Sequence, residues 1–151
     1  MYNSLVEAVT GCPIATQDIS VNLANRQVAI DKYGYGPANP DDKEADNTMF
    51  WEKKAKMWNC SVENVETMRC GDCAAFNVSD KMRDCMAKGL AEVGNDPMAT
   101  IEKADLGYCS FLHFKCAGTR TCDAWVAGGA VDNKDLTERY ESLRTTIRKI
   151  K

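Results

Sequence analysis

The stretch Leu106–Trp125, LGYCSFLHFKCAGTRTCDAW, decides how this chain is read. It sets Cys109, Cys116 and Cys122 among Tyr108, Phe111, Phe114 and Trp125, together with His113, the only histidine of the sequence. Thiols in such company are disulfide partners, zinc ligands, iron ligands or ordinary core. Neither a helical nor a strand-like apolar period runs through the stretch, so irregular backbone and turns are expected, with at most a short hairpin.

Upstream, Cys70 and Cys73 form a Cys-x-x-Cys pair around Gly71, which relaxes the turn and lets two sulfurs approach one centre. Cys85 falls on a helix predicted over DKMRDCMAKGL, capped by Ser79 and ended by GNDP. Cys12 and Cys60 stand alone. Eight cysteines are many for 151 residues, and their meaning depends on the redox compartment. The first twenty residues show neither a charged n-region nor an apolar h-region, and no run nears the roughly 18 apolar residues of a membrane span. A cytoplasmic protein is therefore expected, with no membrane contact and with reduced thiols. Metal binding then becomes more attractive than a disulfide framework, which only a mature form without its leader would restore.

The composition, 44% hydrophobic and 27% charged, supports one buried core, and the length is too short for two full domains. A net charge of -3 supplies no basic field for a phosphate backbone, so nucleic acid is not expected as a partner. Three regions are expected: an N-terminal helical region over 1–69, a cysteine-rich cluster-binding region over 70–131, and a C-terminal amphipathic helix within 132–151. In the first, Leu23, Ala24 and Ile30 predict a helix at about 20–32, with Asp18 or Ser20 as cap. The glycines and prolines of YGYGPANPDDKEADN then predict an exposed loop over 33–47. A helix from Thr48 to Trp58 places Phe50, Trp51, Ala55 and Trp58 on one side and Glu52, Lys53, Lys54 and Lys56 on the other. Ser61 caps a further helix reaching Arg69. In the tail, Leu136, Tyr140, Leu143, Ile147 and Ile150 make an apolar stripe that packs on its own domain or mediates docking or dimerisation.

A Cys-x-x-Cys pair suits zinc and iron-sulfur clusters equally, and the remaining spacings separate them. Six residues lie between Cys109 and Cys116 and five between Cys116 and Cys122, so no second tight zinc knuckle exists. A cubane several ångströms across takes one ligand at each iron, and single cysteines on different loops can reach it. Phe76, Tyr108, Phe111, Phe114 and Trp125 stand within three residues of these thiols and would exclude water, or would simply be core.

CGDCAAF followed by GYCSFLHFKCAGTRTCDAWVAGG resembles the high-potential iron-sulfur proteins, small electron carriers holding one 4Fe-4S cluster. The resemblance spans Cys70 to Gly129. It implies Cys70 and Cys73 as the ligand pair, Cys109 as third ligand, Cys122 as fourth, and Trp125 as the tryptophan of the closing Cys-x-x-Trp. Phe76, Tyr108 and Phe111 complete the implied cofactor wall. Cys85 and Cys116 have no counterpart in that pattern and remain as spare thiols, substitute ligands or a pair bonded to each other. The whole chain, including YGYGPANP and RTCDAWVAGG, is also similar to small proteins of marine tailed bacteriophages, which implies the host cytoplasm or the virion as its place. The fold implied is a small, metal-organised domain, mainly α with irregular loops and little β. In such a protein burial penalises the most highly charged cluster state most, which discourages low-potential reduction.

The alternative is structural zinc, held by Cys70, Cys73, His113 and Cys116, or a cluster that only stabilises an interaction protein. A thioredoxin-like use of the Cys-x-x-Cys pair lacks its α/β setting, and Asp41–Asp46 lacks the ligand order of a calcium loop. No nucleophile-base pair is visible, so an electron carrier or binding protein is expected rather than an enzyme. Its partner is a redox or structural protein, or a second copy through the C-terminal helix.

Overall fold

Three short antiparallel strands divide the molecule, in a computed structural model that describes residues 11–40, 46–90 and 96–134. Strand β1 (Phe76–Asn77) pairs with β2 (Leu106–Cys109), which pairs with β3 (Phe114–Ala117). The hairpin between β2 and β3 turns through Ser110–Phe111–Leu112–His113, where His113 takes a left-handed φ of 59° and its N–H donates to the Cys109 carbonyl. The short hairpin allowed for in this otherwise irregular stretch is thus formed: LGYC and FKCA are too short to show a period, and register supplies the order.

The pleat sends alternate side chains to opposite faces. Phe76 pairs with Cys109, Cys109 with Phe114, and Gly107 with Cys116, so these residues share one face. An added Cβ at Gly107 would collide with the Phe76 ring, and glycine there is what admits the ring. This face packs into a core of Phe76, Phe114, Tyr35 and Ala29 with four buried cysteines. Tyr108 and Leu106 project to the other face and pack with Ala15, Met86 and Ile101.

Helices cover that second face. Helix α1 (Ile14–Gln17) leads directly into α2 (Ile19–Tyr33), and Asp18 between them caps α2 through the N–H groups of Ser20 and Val21. The Ser20 hydroxyl also donates to Asp18, which holds that carboxyl below its ordinary range. Gly34 ends α2 in the left-handed conformation. Helices α3 (Thr48–Trp58) and α4 (Val62–Val65) build a third small core around Trp51, Ala55 and Val65, with Cys60 half-buried beside it. Helix α5 (Asp80–Leu90) begins where Ser79 Oγ accepts from Met82 N, and α6 (Pro97–Lys103) is capped by Asp96. Gly89 lets α5 approach α1 so closely that a Cβ would collide with the Thr16 carbonyl.

The free edge of β3 is closed by side chains. Lys115 N donates to Asn22 Oδ1 at 2.7 Å and Ala117 N to the Tyr35 hydroxyl at 2.9 Å, so α2 and the segment after it occupy an otherwise open edge. Tyr35 is buried, and Gly36 exchanges backbone hydrogen bonds with Thr121. The loop predicted to be exposed over 33–47 is therefore pinned inside at its start, because Tyr35 has both a ring to bury against Phe114 and a hydroxyl that meets the sheet.

Two other expectations change. Helix α6 was not anticipated, since GNDP was read only as a stop, whereas Asp96 and Pro97 supply an N-cap and first residue. Lys54, placed on the solvent side of α3, is 4% exposed. It follows Trp51 by three residues and therefore shares its face. The expected C-terminal helix with its docking stripe, over 136–151, lies outside the described residues. No helix among the described residues is long and apolar enough to cross a membrane.

Candidate metal centre

Five thiols from four chain segments line one cavity: Cys70, Cys73, Cys109, Cys116 and Cys122. Ala75, Phe76, Phe111, Ala124 and Trp125 complete its wall. Local geometry explains the first pair. Residues Cys70–Asp72 form one 3-10 turn in which Cys73 N donates to the Cys70 carbonyl at 2.9 Å, so both side chains leave a single turn. That turn is locked to the segment after β3, because Cys70 N donates to the Arg120 carbonyl and Gly71 N to that of Gly118. Cys109 and Cys116 come from paired strands on the same face. Cys122 is delivered by the strap that runs beside Gly36 and is tied by Thr121 Oγ1 to the Met68 carbonyl at 2.6 Å.

The sulfurs sit among backbone donors. Cys73 Sγ accepts from Ala75 N at 3.5 Å and from Val126 N at 3.4 Å, and Cys109 Sγ accepts from Leu112 N at 3.3 Å. Donors aimed at sulfur favour thiolate over thiol. A hydrogen bond with the Cys116 side chain brings the thiol of Cys70 below its ordinary value, against the opposing effect of burial. Its partner Cys116 is raised well above, by the same hydrogen bond and then by burial. Burial also raises Cys109, and pushes Cys122 up to about 12. Without a cation between them, these thiols repel additional negative charge, so a metal centre is what would let several ionise together.

The wall was partly legible. Phe76, Phe111 and Trp125 line the cavity as expected, and Trp125 is fixed by its indole N–H, which donates to the Arg69 carbonyl at 2.8 Å. Tyr108 does not line it. The pleat turns its side chain to the opposite face, where it packs with Met86 and Ile101. His113 likewise borders a different cavity, of about 410 Å3, together with Lys81, Ser110, Cys12 and Cys85. The zinc set of Cys70, Cys73, His113 and Cys116 is not gathered in one place.

Cys85 leaves the list of substitute ligands because its sulfur is bonded to Cys12, and the pairing of Cys85 with Cys116 is excluded for the same reason. The two partners are separated by 73 residues, and no local signal links them. Cys116 stays within the thiol cavity as a fifth sulfur. Residues missed in the sequence are Lys54 and Asp123, which form an ion pair beside Cys122. The helical spacing of Lys54 from Trp51 and Trp58 was the available signal.

A fit test favours a polynuclear group on chemistry and constrains it on space. Among the described residues no three His, Cys, Asp or Glu converge closely enough to hold a single metal ion. All the donors around this cavity are thiols, with amide N–H groups directed at sulfur, which is the donor set of an iron-sulfur cluster. The free space is only about 10 Å3, room for about one water molecule. Accommodating a cubane therefore requires the sulfurs to rotate outward and the wall to give. Phe111 is the most exposed part of that wall, at 57%.

The chain was compared with protein-family models, with curated proteins and with solved structures, and it matches none of them.

Proposed function

We propose that this protein binds one 4Fe-4S cluster through Cys70, Cys73, Cys109 and Cys122 and carries electrons, as the resemblance to high-potential iron-sulfur proteins implies. The observation that supports the reading most strongly is the gathering of these four distant thiols, with Cys116, around one apolar cavity. When bound, the group would supply a one-electron couple. The chain's own part is to hold the sulfurs, direct N–H groups at them and exclude water. Phe76 is buried and Trp125 half-buried in the wall, while Phe111 lines the cavity with 57% of its surface exposed, so solvent reaches the wall at that ring. A thin wall at one point suits electron exchange with a partner protein better than chemistry on a bound substrate.

The Cys12–Cys85 disulfide favours an oxidising surrounding over the reducing cytoplasm expected from the sequence. A phage-encoded origin is carried in this proposal by the sequence resemblance alone.

Anaerobic reconstitution with ferrous salt and sulfide tests the reading. The expected product is brown, holds about four irons and four sulfides per chain, and shows a reversible couple in voltammetry. Serine at any of Cys70, Cys73, Cys109 or Cys122 removes most of the iron, whereas serine at Cys60 removes none. A colourless, iron-free product, or a chain holding one zinc, refutes the cluster. Iron without any reversible couple leaves a structural cluster and refutes electron transfer.

A further inference from the structure

Lys54 is the one buried cationic side chain among the described residues. Its ammonium pairs with Asp123, donates to the Tyr33 carbonyl at 3.5 Å, and lies 5.4 Å from the centre of the Phe50 ring. Asp123 is 25% exposed and is the residue directly after Cys122. Its own N–H donates to the same Tyr33 carbonyl at 2.6 Å, so the C-terminal end of α2 holds both members of the pair. Gly34 makes the room: a Cβ there would stand 3.2 Å from both Lys54 Nζ and Asp123 Oδ1.

Removing a lysine and an aspartate from water costs several kcal/mol per ion, and a well-packed apolar pair is often as stable. The pair is therefore poorly explained by stability alone. What it provides is one positive and one negative charge at fixed positions next to Cys122, one of the thiols of the cavity. The link to the centre is direct along the chain: Asp123, which holds the ammonium, is the residue after Cys122, and Cys122 lines the thiol cavity.

We propose that Lys54 is the internal counter-charge of the thiolate centre and that Asp123 attenuates it, so that this pair sets the electron affinity of whatever the thiols hold. The assignment rests on the cluster reading above and names positioning residues for it. A buried positive charge stabilises the state that has gained an electron, and the neighbouring carboxylate offsets part of that effect. The two members must then act in opposite directions.

The test is the midpoint potential of the reconstituted protein in three variants of similar volume. Lys54→Met is expected to lower the potential, equivalent to a fall in the reduction equilibrium constant on the order of tenfold, the scale of one unit charge in a partly shielded interior. Asp123→Asn is expected to raise it by a smaller amount, and Lys54→Arg to leave it near the starting value. General loosening of the Cys122 segment would move the first two variants in the same direction. Shifts of one sign in both, or a shift in neither, overturn the assignment while leaving the cluster standing. An unsubstituted protein with no iron or no couple overturns the cluster or electron-transfer reading and this assignment with it. Asp123→Asn keeps Lys54 charged and carries the test alone if Lys54→Met fails to load, since an unchanged or lowered potential there is sufficient refutation.

Discussion

The two faces of the small sheet treat cysteine in opposite ways. On one face, five thiols share a cavity without being bonded, with amide N–H groups directed at the sulfurs of Cys73 and Cys109. On the other, Cys12 and Cys85 are joined and tie the start of α1 to the middle of α5. The residue type is the same and the surroundings differ. Where backbone donors and aromatic walls surround unbonded sulfurs, the proposed cluster would find its ligands. Where helices pack through methionine, isoleucine and glycine, a direct sulfur-sulfur bond serves as a clamp.

Separability of the two faces is the first point at which this comparison breaks or holds. Met86→Ala removes a fully buried side chain beneath Tyr108 and is expected to destabilise the fold by about 2–5 kcal/mol. Thermal unfolding measures the loss, and the visible absorption of the loaded protein should be unchanged at temperatures below the transition. A spectrum that changes in the folded protein would show that the faces are coupled through β2.

Replacing the clamp sharpens the contrast further. Cys12→Ala combined with Cys85→Ala is expected to reduce stability by about 2–4 kcal/mol, through the long loop that the bond closes. Iron content after reconstitution should equal that of the unsubstituted chain. Loss of iron in this variant would return Cys85 to the ligand set.

The smallest expected effect is the response of the metal-free protein to alkali. Burial raises Cys122 from an ordinary 9.0 to about 12, and Cys109 and Cys116 move in the same direction, while Cys70 moves the other way. A thiol raised in the folded state keeps its proton after the unfolded chain has released its own. The stability it contributes is thus complete below about pH 9 and declines as pH rises toward about 12. Denaturant titrations of the chelated protein, kept anaerobic with the Cys12–Cys85 bond intact, should show the decline across that window, and the alanine pair at positions 12 and 85 should leave its slope unchanged. A flat profile would mean that the thiols are better solvated than their positions indicate.

Much of the local structure was legible because its causes lie within a few residues. Asp18, Ser61 and Ser79 each satisfy nearby amide groups, and the helices begin where these caps stand. Gly71 between two cysteines likewise gave the turn at Cys70–Asp72. Lys54 was misplaced although its spacing was informative, since a charged residue on an apolar stripe is read as solvated until its partner is known. Tyr108 was misplaced because residues adjacent to a ligand face the other way once they are in a strand.

By itself, then, the sequence determined the helix starts, the paired thiols of one turn, and the supply of cysteines and aromatic rings from which a centre can be built. Only the tertiary structure decided that Cys109, Cys116 and Cys122 meet Cys70 and Cys73, that Cys85 goes to Cys12, and that Lys54 turns inward to Asp123. The physical reason is range. Capping and turn preferences act between near neighbours along the chain, whereas strand register and the closure of long loops set which distant side chains share a face, and both exist only in the folded chain.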